Sequence, residues 1–169
     1  MLVPLSPEDE KVYGKLFASC NDLAFARYCL SVITKKKWHY SPWEKRDTVY
    51  LQQAAFTSAL VVSYARVFIK SRGWKNLSVD LGHFDGQELA CHDRIMQLRH
   101  SVFAHTDSEH YSVRPWRVGD FKADIVGAPI LRITEKDAVL LDNMTNKLFV
   151  AMQARMKVIL ATCATEGAL

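Results

Sequence analysis

The sequence predicts an all-α protein, an up-down bundle of four to five helices with a small β excursion before the last helix. Three observations predict this. Long segments carry apolar residues at helical spacing, two segments open with clear helix-start signals, and β-rich patterns are confined to residues 107–134. A chain of 169 residues suits one domain with a sizeable core, so residues 1–169 are predicted to form a single helical domain.

The first helix is predicted to run from about Pro7 towards Ser31 or beyond. Ser6 is a good N-cap, Pro7 suits the first helical position, and the following carboxylates favour the positive end of a helix. The pair Asn21-Asp22 is a point at which this helix could break.

The second helix is predicted from Trp43 or Asp47 to Ser71, where Gly73 would end it. Between Trp74 and Asp85 no period is strong, and a loop is expected. Its apolar residues should anchor it to the core; they are Leu77, Val79, Leu81 and Phe84.

A third helix is expected from Asp85 or Gly86 to about His105. The last helix starts at Thr134, where Asp137 completes a pattern that resembles a capping box, and it should run to about Thr165. Its apolar stripe is Leu140, Leu141, Met144, Leu148, Phe149, Met152 and Met156. The β excursion between these helices would use the β-rich segments 111–114 and 130–133, with turns at Gly119-Asp120 and residues 127–129.

Composition excludes several classes. About half of the residues are hydrophobic and a quarter are charged, and the net charge of +4 permits a polyanionic partner without demanding one. The N-terminus lacks the pattern of a signal peptide, and no apolar stretch appears long enough to span a membrane. Four scattered cysteines, three of them in predicted helices, are expected to be free thiols. These features predict a soluble cytoplasmic protein with no membrane partner.

The segment from Met96 to Asp107 concentrates three candidate groups, Arg99, His100 and His105, among apolar residues. On a helical wheel Arg99 lies inside a broad apolar face, so it must snorkel, find a partner or face a second protein surface. His105 falls about 120° away if the helix continues that far. Two interpretations remain open from the residues alone: pairing of Arg99 with a buried carboxylate and capping by His105, or a functional site.

The run Leu98-Arg99-His100-Ser101-Val102-Phe103-Ala104-His105 resembles the signature of the HEPN superfamily, an Arg followed by a polar residue and, a few positions later, a His. The helical context is similar to the small HEPN domains of bacterial toxin-antitoxin and phage-defence systems. Some HEPN toxins carry a Tyr two residues after the His, and here that position is Asp107, so the chain is not assigned to that subgroup.

The resemblance implies a metal-independent endoribonuclease that leaves 2′,3′-cyclic phosphate ends, with a composite site at a homodimer interface. It implies that His105 acts as general base or acid, that Arg99 holds and stabilises the phosphate, and that His100 positions the RNA or assists proton transfer. RNA is the expected substrate, and an antitoxin or regulatory protein is a possible partner.

RNA binding needs positive charge, and the sequence between residues 35 and 75 is rich in Lys and Arg with interleaved aromatic residues. The alternative is that these residues form solvated helix ends while the aromatic residues pack inward. The candidate RNA-binding residues are Lys35, Lys36, Lys37, Arg46, Lys70 and Arg72.

Neither a metal nor a cofactor is expected. His92, His100 and His105 form the only cluster of histidines, and their spacing does not match a metal-binding pattern. A second hypothesis from another class is a catalytically inactive, HEPN-like helical module that binds RNA, a nucleotide or a protein. A weaker third is a structural subunit whose Arg99 and His105 satisfy internal partners.

Overall fold

The chain folds predominantly into α-helices, as the sequence predicts. The computed structural model describes residues 5–45, 48–103, 112–127 and 130–166. Four α-helices occur within these residues: α1 (Pro7–Lys36), α2 (Thr48–Arg66), α3 (Gly86–Phe103) and α4 (Glu135–Glu166). A short 3₁₀ turn, Val79–Gly82, precedes α3.

Each helix packs against two neighbours, in the cyclic order α1, α2, α3, α4. The contacts run antiparallel around this cycle: three of them join an early part of one helix to a late part of another, and along α3 the partner moves back along α4, from Lys147 at Glu88 to Asp137 at Arg94. The four contacts are Lys15 with Arg66 (3.0 Å), Tyr64 with His92 (2.9 Å), Glu88 with Lys147 (2.6 Å) and Arg27 with Asp142 (3.7 Å). The helices therefore alternate up and down.

This arrangement gives the bundle two distinct ends. We call one the motif end, where α1 and α3 finish and α2 and α4 begin. We call the other the loop end, where α1 and α3 begin and α2 ends; α4 passes the start of α3 at Lys147 and continues to Glu166. The connection between α2 and α3 lies at the loop end, and the connections from α1 to α2 and from α3 to α4 start from the motif end.

The core is a continuous apolar cluster that all four helices share. The stripe predicted on α4 is confirmed: Leu141, Met144, Leu148, Met152 and Met156 are buried, and Leu140 and Phe149 pack against them. Cys20, Cys29 and Cys91 are buried free thiols, as expected. Burial raises the pKa of Cys91 to about 12, so this thiol stays protonated.

Helix α1 begins where its sequence signals place it. The Ser6 hydroxyl accepts a hydrogen bond from the Asp9 amide at 3.1 Å, and Pro7 occupies the first turn. The helix does not break at Asn21-Asp22. Asp22 pairs with Arg66 of α2 at 3.4 Å, so the polar residue is used for packing between helices instead.

Helix α2 ends at Arg66, five residues earlier than the sequence suggests, and Gly73 does not terminate it. After Arg66 the backbone forms hydrogen bonds between residues three positions apart, such as that from the Phe68 amide to the Ala65 carbonyl. Phe68 then packs against Tyr64 and His92. Gly73, with a φ of 85°, lies instead within the turn that pairs Ser71 with Trp74.

The segment between α3 and α4 contains two antiparallel strands, β1 (Ser112–Val118) and β2 (Phe121–Gly127). They are joined at Gly119-Asp120, the turn that the sequence indicates. The β-rich run Ile130–Ile133 forms no strand. The Leu131 amide donates to the Tyr50 hydroxyl at 3.2 Å and Ile133 is buried, so this run is held against α2 instead.

One expectation about membranes needs correction. By length and composition alone, α1 is apolar enough to cross a membrane, although no such stretch was expected. In this structure 44% of its most apolar window is buried inside the bundle.

Candidate functional site

Helix α3 carries Arg99 and His100 and is fixed at its start by reciprocal capping. The Asp85 carboxylate accepts from the Glu88 amide at 2.9 Å, and the Glu88 carboxylate accepts from the Asp85 amide at 2.9 Å. The Glu88 side chain also accepts from Lys147 of α4 at 2.6 Å. Reciprocal capping of this kind fixes the residue at which α3 begins.

That face carries Arg99 close to the core. Cys91 and Ile95 are buried in the cluster, and His92 faces Tyr64 and Phe68 of α2. Arg99 follows His92 by seven residues, about two turns, and so lies on the same side of the helix at the motif end. Its side chain is half-buried, whereas His100 is exposed.

The guanidinium of Arg99 has an unusual neighbour. Its Nη1 lies 3.4 Å from Nδ1 of His100, which is a long contact between two nitrogens. Within residues 5–45, 48–103, 112–127 and 130–166, no carboxylate pairs with Arg99. By contrast Arg94, five residues earlier, pairs with Asp137 of α4. The interpretation in which Arg99 satisfies a buried carboxylate therefore finds no support in the described chain.

His105 and Asp107 lie outside the described residues, as does Arg46 of the candidate RNA-binding set. Helix α3 is described to Phe103, two residues before His105. The geometry between Arg99 and His105 therefore remains an expectation from the sequence.

The structure does not bring the candidate RNA-binding residues together. Lys35 and Lys36 end α1, and Lys37 caps it in the left-handed conformation with a φ of 53°, so these three lie at the motif end. Lys70 and Arg72 follow α2 and lie at the loop end. The 19 residues of α2 separate the two groups by about 28 Å. Among the candidates that the structure describes, only the lysine run shares an end of the bundle with Arg99.

Sequence reasoning missed His39, which lines a cleft at the motif end. The cleft has a volume of about 640 Å³ and lies between the last turns of α1 and the first turns of α4. Apolar residues line it, among them Leu30 and Val139, and so do charged residues of both signs: Arg27, Lys35, Lys37, Glu135 and Asp142. The sequence carried one signal for His39, its position two residues after the lysine run 35–37.

The tautomer of His39 is fixed by its contact. Its Nδ1 lies 2.8 Å from the Ile133 carbonyl oxygen, which can only accept, so Nδ1 carries the proton. In the neutral ring Nε2 then holds the lone pair. His39 is thus a potential hydrogen-bond acceptor, or a base, beside two lysines.

His92 has a structural environment. Its Nδ1 shares a hydrogen bond with the Tyr64 hydroxyl, and its ring packs edge-on against Phe68 at 4.7 Å between centroids. Burial lowers the pKa of His92, against a smaller opposing effect of Asp93. Across the described parts of the chain, no group of three or more His, Cys, Asp or Glu side chains is placed to hold a metal ion.

No protein-family model, curated protein or solved structure matches this chain. The resemblance to HEPN domains therefore rests on the Arg99 to His105 motif and on its helical context.

Proposed function

We propose that this protein is a metal-independent endoribonuclease of the HEPN type, acting on RNA in defence or growth control. The observation that carries the proposal is Arg99: a half-buried guanidinium at the end of α3, in contact with His100 and without a carboxylate partner in the described residues. An arginine used only for structure would be expected to find such a partner, as Arg94 does.

The proposed reaction is an internal transfer at the phosphate. The ribose 2′-oxygen attacks the adjacent phosphorus, the bond to the 5′-oxygen breaks, and a 2′,3′-cyclic phosphate remains. His105 takes the proton from the 2′-hydroxyl or gives one to the leaving 5′-oxygen, since an imidazole exchanges protons near neutral pH. Arg99 holds two phosphate oxygens in a forked contact, and His100 positions the strand.

The end of the bundle that carries Arg99 also carries features suited to RNA. The three exposed lysines Lys35, Lys36 and Lys37 lie there and would contact backbone phosphates. His39 and the neighbouring cleft offer a hydrogen-bonding site of the size of one or two nucleotide units.

The proposal includes a homodimer in which two copies of the motif form one cleft. Exposed apolar residues support it: Val49 and Leu51, in the first turn of α2, are 38% and 68% exposed at the same end as Arg99. Apolar side chains left in water beside a functional motif are typical of an interface between chains. An antitoxin or another regulatory partner could cover the same surface, in a cytoplasmic setting.

The proposal is tested by incubating purified protein with mixed RNA in EDTA. We expect the wild type to cut and to leave cyclic phosphate ends, and His105→Ala to lose at least about 100-fold in rate, the usual contribution of a general acid or base. His83→Asn is the matched control, because His83 is exposed and its φ of 47° suits Asn. Cutting that survives in folded His105→Ala would overturn the assignment.

The role of Arg99 is tested separately by Arg99→Lys and Arg99→Ala. Lysine keeps the charge but loses the planar fork, so we expect a loss of more than about tenfold for Arg99→Lys and a larger loss for Arg99→Ala. Equal activity of Arg99→Lys and wild type would show that no forked contact is made. A folded wild type that forms dimers but cuts no RNA would favour the binding-module hypothesis instead.

A further inference from the structure

A second cleft, at the loop end, is strongly cationic. It has a volume of about 440 Å³ and is bounded by the first turns of α1, by the segment from Gly73 to Ser78 and by Arg155 of α4. Four cationic side chains line it, against one carboxylate. They are Lys11, Lys15, Lys75 and Arg155, with Glu8.

Lys15 is the most unusual of these residues, because only 6% of its surface is exposed. Its ammonium donates to the Arg66 carbonyl at 3.0 Å. An ammonium has three N–H donors, and within the described part of the chain this is the only hydrogen bond found for it. Burial lowers the pKa of Lys15; Asp22 opposes this shift, and Arg66 adds to it.

The cations of the cleft are poorly neutralised by the protein itself. The single carboxylate, Glu8, already lies 3.6 Å from Lys75 in an exposed ion pair, which is worth little. Asp22, the carboxylate that opposes the lowering of the Lys15 pKa, is itself paired with Arg66. The cleft therefore keeps an excess of three positive charges around a partly desolvated ammonium, an arrangement that an anion would stabilise.

The rest of the lining suits a small organic anion. Val12 and Leu77 supply apolar surface, and Asn76 and Ser78 supply neutral hydrogen-bonding groups. The volume lies within the range of ordinary ligand sites. Charge for phosphates, beside apolar and amide surface for a sugar or base, is the combination that a nucleotide needs.

We propose that the loop-end cleft binds a small phosphate-bearing molecule of about the size of a mononucleotide, held by Lys11, Lys15 and Arg155. The site does not depend on the proposed ribonuclease activity. It lies towards the other end of the bundle from Arg99: Lys15 donates to Arg66 at the end of α2, whereas Arg99 lies about 10 Å further along α3 than His92, the residue that contacts Tyr64 near that end.

The test is calorimetric titration of the full chain with pyrophosphate, AMP and ADP at constant ionic strength. We expect ADP and pyrophosphate to bind with one-to-one stoichiometry. The double variant Lys11→Gln/Arg155→Gln should bind at least about tenfold more weakly, because each charge-assisted hydrogen bond contributes roughly that ratio. Both side chains are exposed, so this variant should fold.

Two further variants define the site. Lys136→Gln removes the same charge from an exposed position at the motif end and should leave binding unchanged. Lys15→Met keeps the apolar stem, removes the ammonium, and should weaken binding while far-ultraviolet circular dichroism shows an intact helical fold.

Several outcomes would overturn the proposal: no binding of any of the three probes, equal weakening by Lys136→Gln, or binding of a short RNA but of none of the small probes. The cleft variants should leave RNA cutting intact, and Arg99→Ala should leave ADP binding intact. Failure of this proposal is thus distinguishable from failure of the proposed ribonuclease activity.

Discussion

The two ends of the bundle handle charge in opposite ways. At the motif end the lysines of residues 35–37 are exposed, and the buried polar side chains Ser41, Gln53 and Thr57 are neutral. At the loop end Lys15 and Glu88 are themselves buried, at 6% and 3% exposure. These charged side chains are exposed to solvent at the motif end and buried at the loop end.

The two ends are therefore suited to different tasks. Exposed lysines are solvated and screened by salt, so they affect folding little and remain available for a polyanion. An enclosed charge loses its hydration and must be compensated by partners. Glu88 has them, in Lys147 and the Asp85 amide, whereas Lys15 has a carbonyl and a nearby carboxylate that is already paired.

The largest effect on stability is expected for Gln53→Leu, at the motif end. The Gln53 amide accepts from the Tyr40 amide at 2.9 Å and donates to the Tyr40 and Leu131 carbonyls at 2.8 and 3.1 Å. Three backbone groups would lose their partner, and we expect the free energy of unfolding to fall by about 3 kcal/mol in urea denaturation.

Thr57→Val is the matched control, one turn further along the same helix. Thr57 is also fully buried, but within the described chain its hydroxyl has no hydrogen-bond partner. Its removal should be neutral or should stabilise by up to about 1 kcal/mol. A loss in Thr57→Val as large as that in Gln53→Leu would show that burial, and not the bridging amide, governs this end.

A somewhat smaller effect is expected for Glu88→Ala, at the loop end. The change leaves Lys147 without its partner and opens the cap of α3. Because the Lys147 side chain is 42% exposed and can be re-solvated, we expect a loss of about 2 kcal/mol rather than the larger cost of a fully buried pair.

Two variants sharpen the Glu88 result in the same urea denaturation. Glu88→Gln keeps an acceptor for the Asp85 amide and should lose less than Glu88→Ala. Glu10→Ala, exposed in the first turn of α1, should change stability by no more than a few tenths of a kcal/mol. Equal losses in Glu88→Gln and Glu88→Ala would assign the whole effect to the charge.

The smallest effect concerns pH and also belongs to the loop end. Because burial lowers the pKa of His92, the unfolded chain binds more protons than the folded chain around pH 6. The stability that depends on a neutral His92 is therefore fully present above about pH 6.5, the ordinary pKa of histidine, and is lost as the pH falls below it. His92→Asn keeps a polar group facing Tyr64 without titrating, so its melting temperature should fall less between pH 7.5 and 5.5.

His83→Asn is the control for this titration, because His83 is exposed and carries no such burial. Its melting temperature should follow that of the wild type across the same range. If the melting temperatures of His92→Asn and wild type depended on pH in the same way, burial of His92 would not contribute to the pH dependence of stability between pH 7.5 and 5.5.

The local features of the fold could be predicted from the sequence alone. The capped starts at Ser6 and Thr134, where the Asp137 amide donates to the Thr134 hydroxyl at 3.0 Å, depend on residues within one turn. The buried stripe of α4 depends on helical period alone. The position of Arg99 on the core-facing side of α3 likewise followed from the helical wheel of residues 86–105.

Features that depend on helix direction and on residues distant in sequence could be learned only from the packed fold. It ended α2 at Arg66, held Ile130–Ile133 against α2, and sent the cations of residues 35–37 and 70–72 to opposite ends. It also enclosed Lys15, which the sequence shows only as one more lysine on the first helix. The physical reason is that caps and periods involve neighbours in sequence, whereas burial and electrostatic environment are set by whichever helices pack alongside.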